Sequence, residues 1–198
     1  MAKIGLFGGS FNPIHNGHMN LALSVKKSLG LERIILIPSG TSPHKSSSEY
    51  APAEDRLEMC RLDCEGYDGF EVSDYEITKP GKSYTVYTVR HFKKLFPEDE
   101  LYLLVGSDML LSFDTWFEYR EILENVTVAA VSRTGDDTDE LLKMTEKLSD
   151  YGRCVVVNAD AITISSSEIR KMIKNNIDLS CYLNGKVVKY IMLKKLYM

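Results

Sequence analysis

Residues 8–18 read GGSFNPIHNGH, and they carry the groups that phosphoryl chemistry needs. Gly8 and Gly9 let a backbone come close to a ligand and turn its N–H groups toward an anion. Ser10 and Phe11 follow, and then His15 and His18 stand three apart at the start of a helical pattern. That spacing puts both imidazoles on one side of the first turn. Gly17 lies between them, with no side chain to block a phosphate. The helix points its positive end at the same place. Imidazole donors aimed there would stabilise charge that grows on a phosphoryl group in the transition state. A glycine turn alone is often only a turn, and a histidine pair can bind metal. No carboxylate or third ligand is adjacent, and it is the combination that points to phosphate.

A second anion site is written in ISSSEIR, residues 164–170. Ser165 and Glu168 have capping-box spacing, so a helix begins there. Its N-terminus, with Ile164, Ser165 and Ser166 leading in and Arg170 near the first turn, suits phosphate. By itself, without the first motif, the stretch reads rather as a plain cap with a surface arginine.

These sites need a frame that brings them together. Apolar runs rich in branched residues alternate with helical patterns. Strands are expected over residues 3–8, 33–38, 70–77, 101–106, 126–132 and 154–159. Helices are expected from about His18 to Leu29, ended by Gly30, and over 51–64, 83–96 with Ser83 as N-cap, and from Ser165 onward. The runs LYLLVG and VTVAAVS suit strands buried on both faces. The pattern predicts an α/β fold, a Rossmann-like open and mainly parallel sheet with helices on both faces. The glycine loop then falls at the carboxyl end of the first strand, where such sheets bind ligands. The long connection over residues 38–52 and the acidic stretch over 133–140 read as loops, the former of functional length. The last residues read as a helix with a solvated basic face. His91 sits mid-helix, away from any motif, and reads as structural.

The chain has 198 residues, a net charge of −4, 44% hydrophobic and 26% charged residues. That bounds one globular domain, 1–198, with a helical carboxyl-terminal segment from about 165, and gives no basis for bulk nucleic-acid binding. No signal-peptide core and no membrane span is evident, so a cytoplasmic protein is expected. The four cysteines, Cys60, Cys64, Cys154 and Cys181, match no zinc template and read as reduced thiols. Homo-oligomer formation is left open.

GGSFNPIHNGH resembles the signature of the nucleotidyltransferases with a paired-histidine HxGH motif, and ISSSEIR resembles their distal phosphate motif. SPHK (42–45), KPGKSYTVYT (79–88), GSDMLLSFDTW (106–116) and the tail VVKYIMLKKLY are similar, in order and spacing, to bacterial nicotinate-nucleotide adenylyltransferases. The resemblance covers nearly the whole chain. It implies the nucleotidyltransferase fold and transfer of the adenylyl group of ATP to nicotinic acid mononucleotide, giving deamido-NAD and pyrophosphate. It implies that His15, His18 and Lys45 are catalytic. ATP would be held by Gly8, Gly9, Ser10, Phe11, Gly106, Asp108, Arg133, Ile164, Ser165, Ser166 and Arg170. The mononucleotide would be held by His44, Lys45, Tyr84, Thr85, Trp116 and Phe117. Mg2+ would come with the ATP phosphates, with no protein ligand named. Thr134 follows Arg133 where proline is usual, and Phe117 replaces a common tyrosine. A phosphopantetheine adenylyltransferase-like activity and a catalytically silent nucleotide-binding protein are the alternatives. The Trp116 segment disfavours the first, since a pantetheine arm has no ring to stack. The intact set of histidines, Lys45 and Arg170 disfavours the second.

Overall fold

The computed structural model describes residues 1–40, 50–132, 138–159 and 164–198. Its strands are β1 (Lys3–Gly9), β2 (Arg33–Pro38), β3 (Phe70–Val72), β4 (Glu100–Gly106), β5 (Thr127–Ser132) and β6 (Cys154–Asn158). They form one sheet in the order β3-β2-β1-β4-β5-β6. Every neighbouring pair is parallel. The strand order reverses between β1 and β4, which opens a crevice at their carboxyl ends.

Helices cover both faces: α1 (Asn16–Leu29), α2 (Ala53–Cys64), α3 (Tyr75–Thr78), α4 (Thr85–Leu95), α5 (Ser107–Leu111), α6 (Tyr119–Asn125), α7 (Thr138–Leu148), α8 (Ser166–Lys174) and α9 (Gly185–Lys194). Strand side chains alternate, so every strand but the edge strand β3 feeds two cores. Ile34 and Leu36 join Leu104, Ala129 and Val131 under α1, α2, α8 and α9, where Met19, Cys60, Ile169 and Val187 meet them. Ile35 and Ile37 join Ile4, Leu103 and Val128 on the other face, under α4, α6 and α7, with Val89, Ile122 and Leu141. Each large apolar side chain so buried contributes about 1.5–3 kcal/mol. Gly30 ends α1 in the left-handed region, at φ 65, and its N–H bonds Lys26 O, a geometry that favours glycine.

Three expectations shift. The stretch 70–77 is a strand only to Val72. Ser73 Oγ then accepts from Tyr75 N at 3.2 Å, and this local bond starts the short α3 in place of a longer ladder. Ser83 does not cap α4, whose N-cap is Tyr84; its Oγ accepts instead from Gly40 N at 3.3 Å, tying β2's end to α4. Helix α2 starts at Ala53 rather than residue 51, because Pro52 holds the N-cap. Cys60 and Cys64 are buried free thiols. Burial pushes the Cys64 thiol up to about 12, so it stays protonated and inert. His91 stacks on Tyr75 at 3.8 Å, the structural role expected of it.

Asp63 of α2 is a titratable side chain buried in the interior. It is 2% exposed. It is hydrogen-bonded by Asn184, the residue that also caps α9 by accepting from Lys186 N at 2.9 Å. Its Oδ2 is buried without a hydrogen-bond partner among the described residues. Burial raises its pKa from 3.8 to about 6. The folded protein therefore binds this proton more tightly than the unfolded chain. The destabilisation is absent below about pH 4, grows as pH rises, and is complete above about pH 6, where it reaches roughly 3 kcal/mol. Asp63→Asn should be more stable than the parent by about 1–3 kcal/mol at pH 8. Urea unfolding from pH 4 to 8 should show that gap closing as pH falls; a gap that does not change with pH rules the raised carboxyl out.

Candidate active site

The chain leaves β1 at Gly9 and runs through residues 10–14 to α1. Phe11, Asn12 and Ile14 are at most 1% exposed. Phe11 takes a left-handed backbone, at φ 43, and the Asn12–Pro13 bond is cis. His15 is the N-cap of α1 in extended conformation. Its Nδ1 accepts from the His18 backbone N–H at 3.3 Å. An accepting Nδ1 carries no proton, so the ring's proton sits on Nε2. The two imidazoles stack with centroids 3.6 Å apart and planes at 26°. Phe11 meets His18 edge-on at 5.1 Å, and Phe7 meets Phe11 likewise at 5.3 Å. Phe7 and Phe11 thus back His18, which in turn stacks on His15.

Helix α8 packs on the same face of the sheet as α1. Its capping box is complete: Glu168 N donates to Ser165 Oγ at 3.2 Å, and Ser165 N donates to Glu168 Oε2 at 2.8 Å. The Ser165 hydroxyl, donating to Glu168 Oε2 at 2.6 Å, and then the Ser165 N–H hold the Glu168 carboxyl below the usual range. Ser166 Oγ donates to Pro13 O at 2.9 Å. Arg170 donates from Nη1 to Asn12 O at 2.9 Å, and from Nη2 to Ser167 Oγ at 3.1 Å. The N-termini of α1 and α8 therefore open on one cavity of about 290 Å³. Two positive helix ends and a guanidinium around one space make an anion site.

Of the residues expected from sequence, Ser10, His15, His18, Asp108, Ile164, Ser165, Ser166 and Arg170 line this cavity. Gly8 and Gly9 end β1 beside it. The Phe11 ring belongs to the core under the histidines. Gly106 is the N-cap of α5 and so places Asp108 in that helix's first turn. His44, Lys45 and Arg133 lie outside the described residues. Tyr84, Thr85, Trp116 and Phe117 form a separate group. Trp116 is half-buried and stacks on Phe113 at 4.8 Å. Phe117, 47% exposed, lies 4.9 Å from Tyr84 and 6.2 Å from Tyr87. Thr85 begins α4 beside them.

Sequence reading missed Asn20, Tyr50 and Ser167 on the cavity wall. Ser167 was open to view in the SSSE run; the other two give no local signal. It also missed Arg56, 2% exposed. Arg56 donates to Ser10 O at 2.7 Å, to Ser39 O at 2.6 Å, to Gly40 O at 3.1 Å and to Ala51 O at 3.2 Å. One side chain thus joins the loop after β1 to the loop after β2 and the approach to α2. Burial lowers its pKa, opposed by the nearby Tyr197, Cys60, Tyr50 and Glu54.

The cytidylyltransferase-like family model matches residues 6–172, a span that includes both phosphate motifs. A probable nicotinate-nucleotide adenylyltransferase of Clostridium tetani is 35% identical over 199 residues, covering all of both chains. One of Carboxydothermus hydrogenoformans is 38% identical over 198 residues, covering 99% of this chain and 98% of the relative. Among solved structures, Plasmodium falciparum nicotinic acid mononucleotide adenylyltransferase complexed with NaAD superposes with a TM-score of 0.81 at 21% identity. That match covers 100% of this chain and 98% of the other, and it establishes the shared fold. With full-length relatives at this identity and the family's two phosphate motifs meeting at one cavity, the chain belongs to the cytidylyltransferase-like family and, within it, to the nicotinate-nucleotide adenylyltransferases.

Proposed function

We propose that this enzyme transfers the adenylyl group of ATP to nicotinic acid mononucleotide, forming deamido-NAD and pyrophosphate. The observation that carries the reading is the stacked His15–His18 pair, 3.6 Å apart, at the mouth of α1, in the cavity that α8 and Arg170 also line. The triphosphate lies across the two helix N-termini, with Ser10, Ser165, Ser166 and Arg170 as donors. Gly8, Gly9 and Gly106 let the backbone approach, and Asp108 faces the adenosine ribose. The His15 Nε2–H and the His18 ring turn toward the reacting phosphoryl group. Mg2+ would accompany the ATP phosphates and supply charge neutralisation there, with no residue of this chain assigned as its ligand.

A phosphate of the mononucleotide attacks the α-phosphorus. One P–O bond forms to that oxygen, and the bond from the α-phosphorus to the bridging oxygen breaks, leaving pyrophosphate. The nucleophile is already ionised at neutral pH, so no proton has to be removed. Catalysis is then positioning and charge stabilisation by preorganised donors. By motif, Lys45 and His44 bind phosphate where the two substrates meet, and Arg133 serves the nucleotide side. Tyr84, Thr85, Trp116 and Phe117 form the pyridine subsite, since a half-buried indole beside exposed aromatic edges suits a flat ring.

Pyrophosphate release from ATP over a panel of acceptors tests the reaction. Nicotinic acid mononucleotide should be the best acceptor, ahead of the nicotinamide analogue, and phosphopantetheine should give no signal. Release with phosphopantetheine alone would return the chain to the sister activity.

His18→Ala should keep its fold and lose about 100- to 1000-fold in kcat, the cost of one preorganised donor to the reacting group. Steady-state kinetics beside circular dichroism reads both; a folded variant with near-normal kcat removes His18 from the transition state.

Trp116→Ala should raise KM for the mononucleotide about 5- to 100-fold, as base-on-aromatic stacking does elsewhere, and leave that for ATP nearly unchanged. Equal losses for both substrates would instead mean that the Phe113–Trp116 stack had collapsed.

A further inference from the structure

The last turn of the chain folds back on the loop that follows β1. Beyond α9, Lys195 and Tyr197 take left-handed backbones, at φ 52 and 64, which side-chain-bearing residues rarely adopt. Leu196 N bonds Ile191 O at 3.0 Å and closes the helix end. The Tyr197 hydroxyl donates to Asn12 Oδ1 at 2.8 Å, across 185 residues of sequence. The same oxygen accepts from Ala51 N at 3.0 Å, and Asn12 itself is 1% exposed. The Asn12 carbonyl accepts the Arg170 guanidinium, and the next carbonyl, of Pro13, accepts Ser166. Burial pushes the Tyr197 phenol up against the pull of Arg56 and Arg170, so it remains a donor at neutral pH.

Asn12 is thus where the phosphate loop, the approach to α2, α8 and the end of the chain meet. A shift of its side chain would carry the two carbonyls that align Arg170 and Ser166, and the histidine cap two residues beyond Pro13. We propose that Tyr197 is a positioning residue for adenylyl transfer, its hydroxyl locking Asn12 so that the histidine loop and α8 stay in register. This rests on the adenylyl transfer proposed above. It goes beyond it by assigning a role to a residue that does not line the cavity.

Tyr197→Phe removes one oxygen and keeps the ring. The full chain should melt within a few degrees of wild type, while kcat falls about tenfold and KM for the mononucleotide changes less than about twofold. ATP affinity, measured by calorimetry without acceptor, should weaken about three- to tenfold, because the triphosphate donors are what loosen. Asn12→Ala should lose the same activity, and the double variant should be no slower than Asn12→Ala alone. A purely structural tyrosine would lower the melting temperature and leave kcat per folded molecule and ATP affinity as they were, which overturns the proposal. Additive losses in the double variant overturn it too. If Asn12→Ala does not fold, kcat and ATP affinity of Tyr197→Phe decide the matter alone. If the wild type releases no pyrophosphate with nicotinic acid mononucleotide, the proposed reaction fails. The positioning role then stands or falls on whether Tyr197→Phe weakens ATP binding.

Discussion

A guanidinium taken out of water must find its hydrogen bonds inside the protein. Arg56 finds four backbone carbonyls, those of Ser10, Ser39, Gly40 and Ala51. Each belongs to a segment with no regular secondary structure to hold it. A helix or strand satisfies its own carbonyls; these segments cannot, and a planar fork with fixed donor directions does it for them. The consequence is geometric. The phosphate loop and the loop after β2, which leads toward His44 and Lys45, cannot drift apart without leaving a buried charge short of partners. The loops after β1 and β2 are thereby referenced to one rigid group.

The same economy of backbone groups runs through the rest of the site. Residues 10–13 have carbonyls but no ladder, and Arg56, Arg170 and Ser166 supply donors to them. Arg170 and Ser166 thus bridge the loop to α8 as well as lining the cavity. This arrangement couples the two anion sites mechanically: whatever sets the loop also sets α8. It also explains why the histidines stand at the N-cap and first turn of α1 rather than within the helix. At the cap, His15 can spend Nδ1 on the helix's own N–H and leave the opposite nitrogen as a donor. Catalysis by positioning asks for donors whose protons are already fixed, and the cap fixes this one.

The sheet contributes the scale. Its strand order puts the carboxyl ends of β1 and β4 side by side, with Gly9 ending one strand and Gly106 the other. From β1 the chain enters the histidine loop. From β4 it enters α5, which presents Asp108 to the cavity and then continues to Trp116. The crevice has the histidine loop on one strand's exit and aromatic surface beyond the other's. Asp63 shows the reverse case, a buried carboxyl that does not line the cavity and whose Oδ2 has no hydrogen-bond partner among the described residues.

Much of this was legible in the chain. The two motifs, each a strand exit or helix start with donors at fixed spacing, follow from local rules of backbone and capping; α8 begins at its expected capping box, while α1 begins at Asn16, ahead of the expected His18, because His15 takes the cap. The continuous apolar runs of β4 and β5 announced strands covered on both faces, because a strand with two buried sides has no polar alternation to show. Local rules could not show that Ser73 would end β3 early, since whether its side chain bonds the backbone depends on what the edge strand can pair with. Nor could they show Arg56, Asn12 or Tyr197. An arginine in an acidic helix start and a tyrosine near the end of a basic helix look like surface residues, because nothing within a few positions of them is their partner. Their partners lie up to 185 residues away. Sequence by itself marked the candidate groups, through short-range spacing and motif resemblance; only the tertiary structure decided what holds them in place, because burial and long-range hydrogen bonding exist only once distant segments have met.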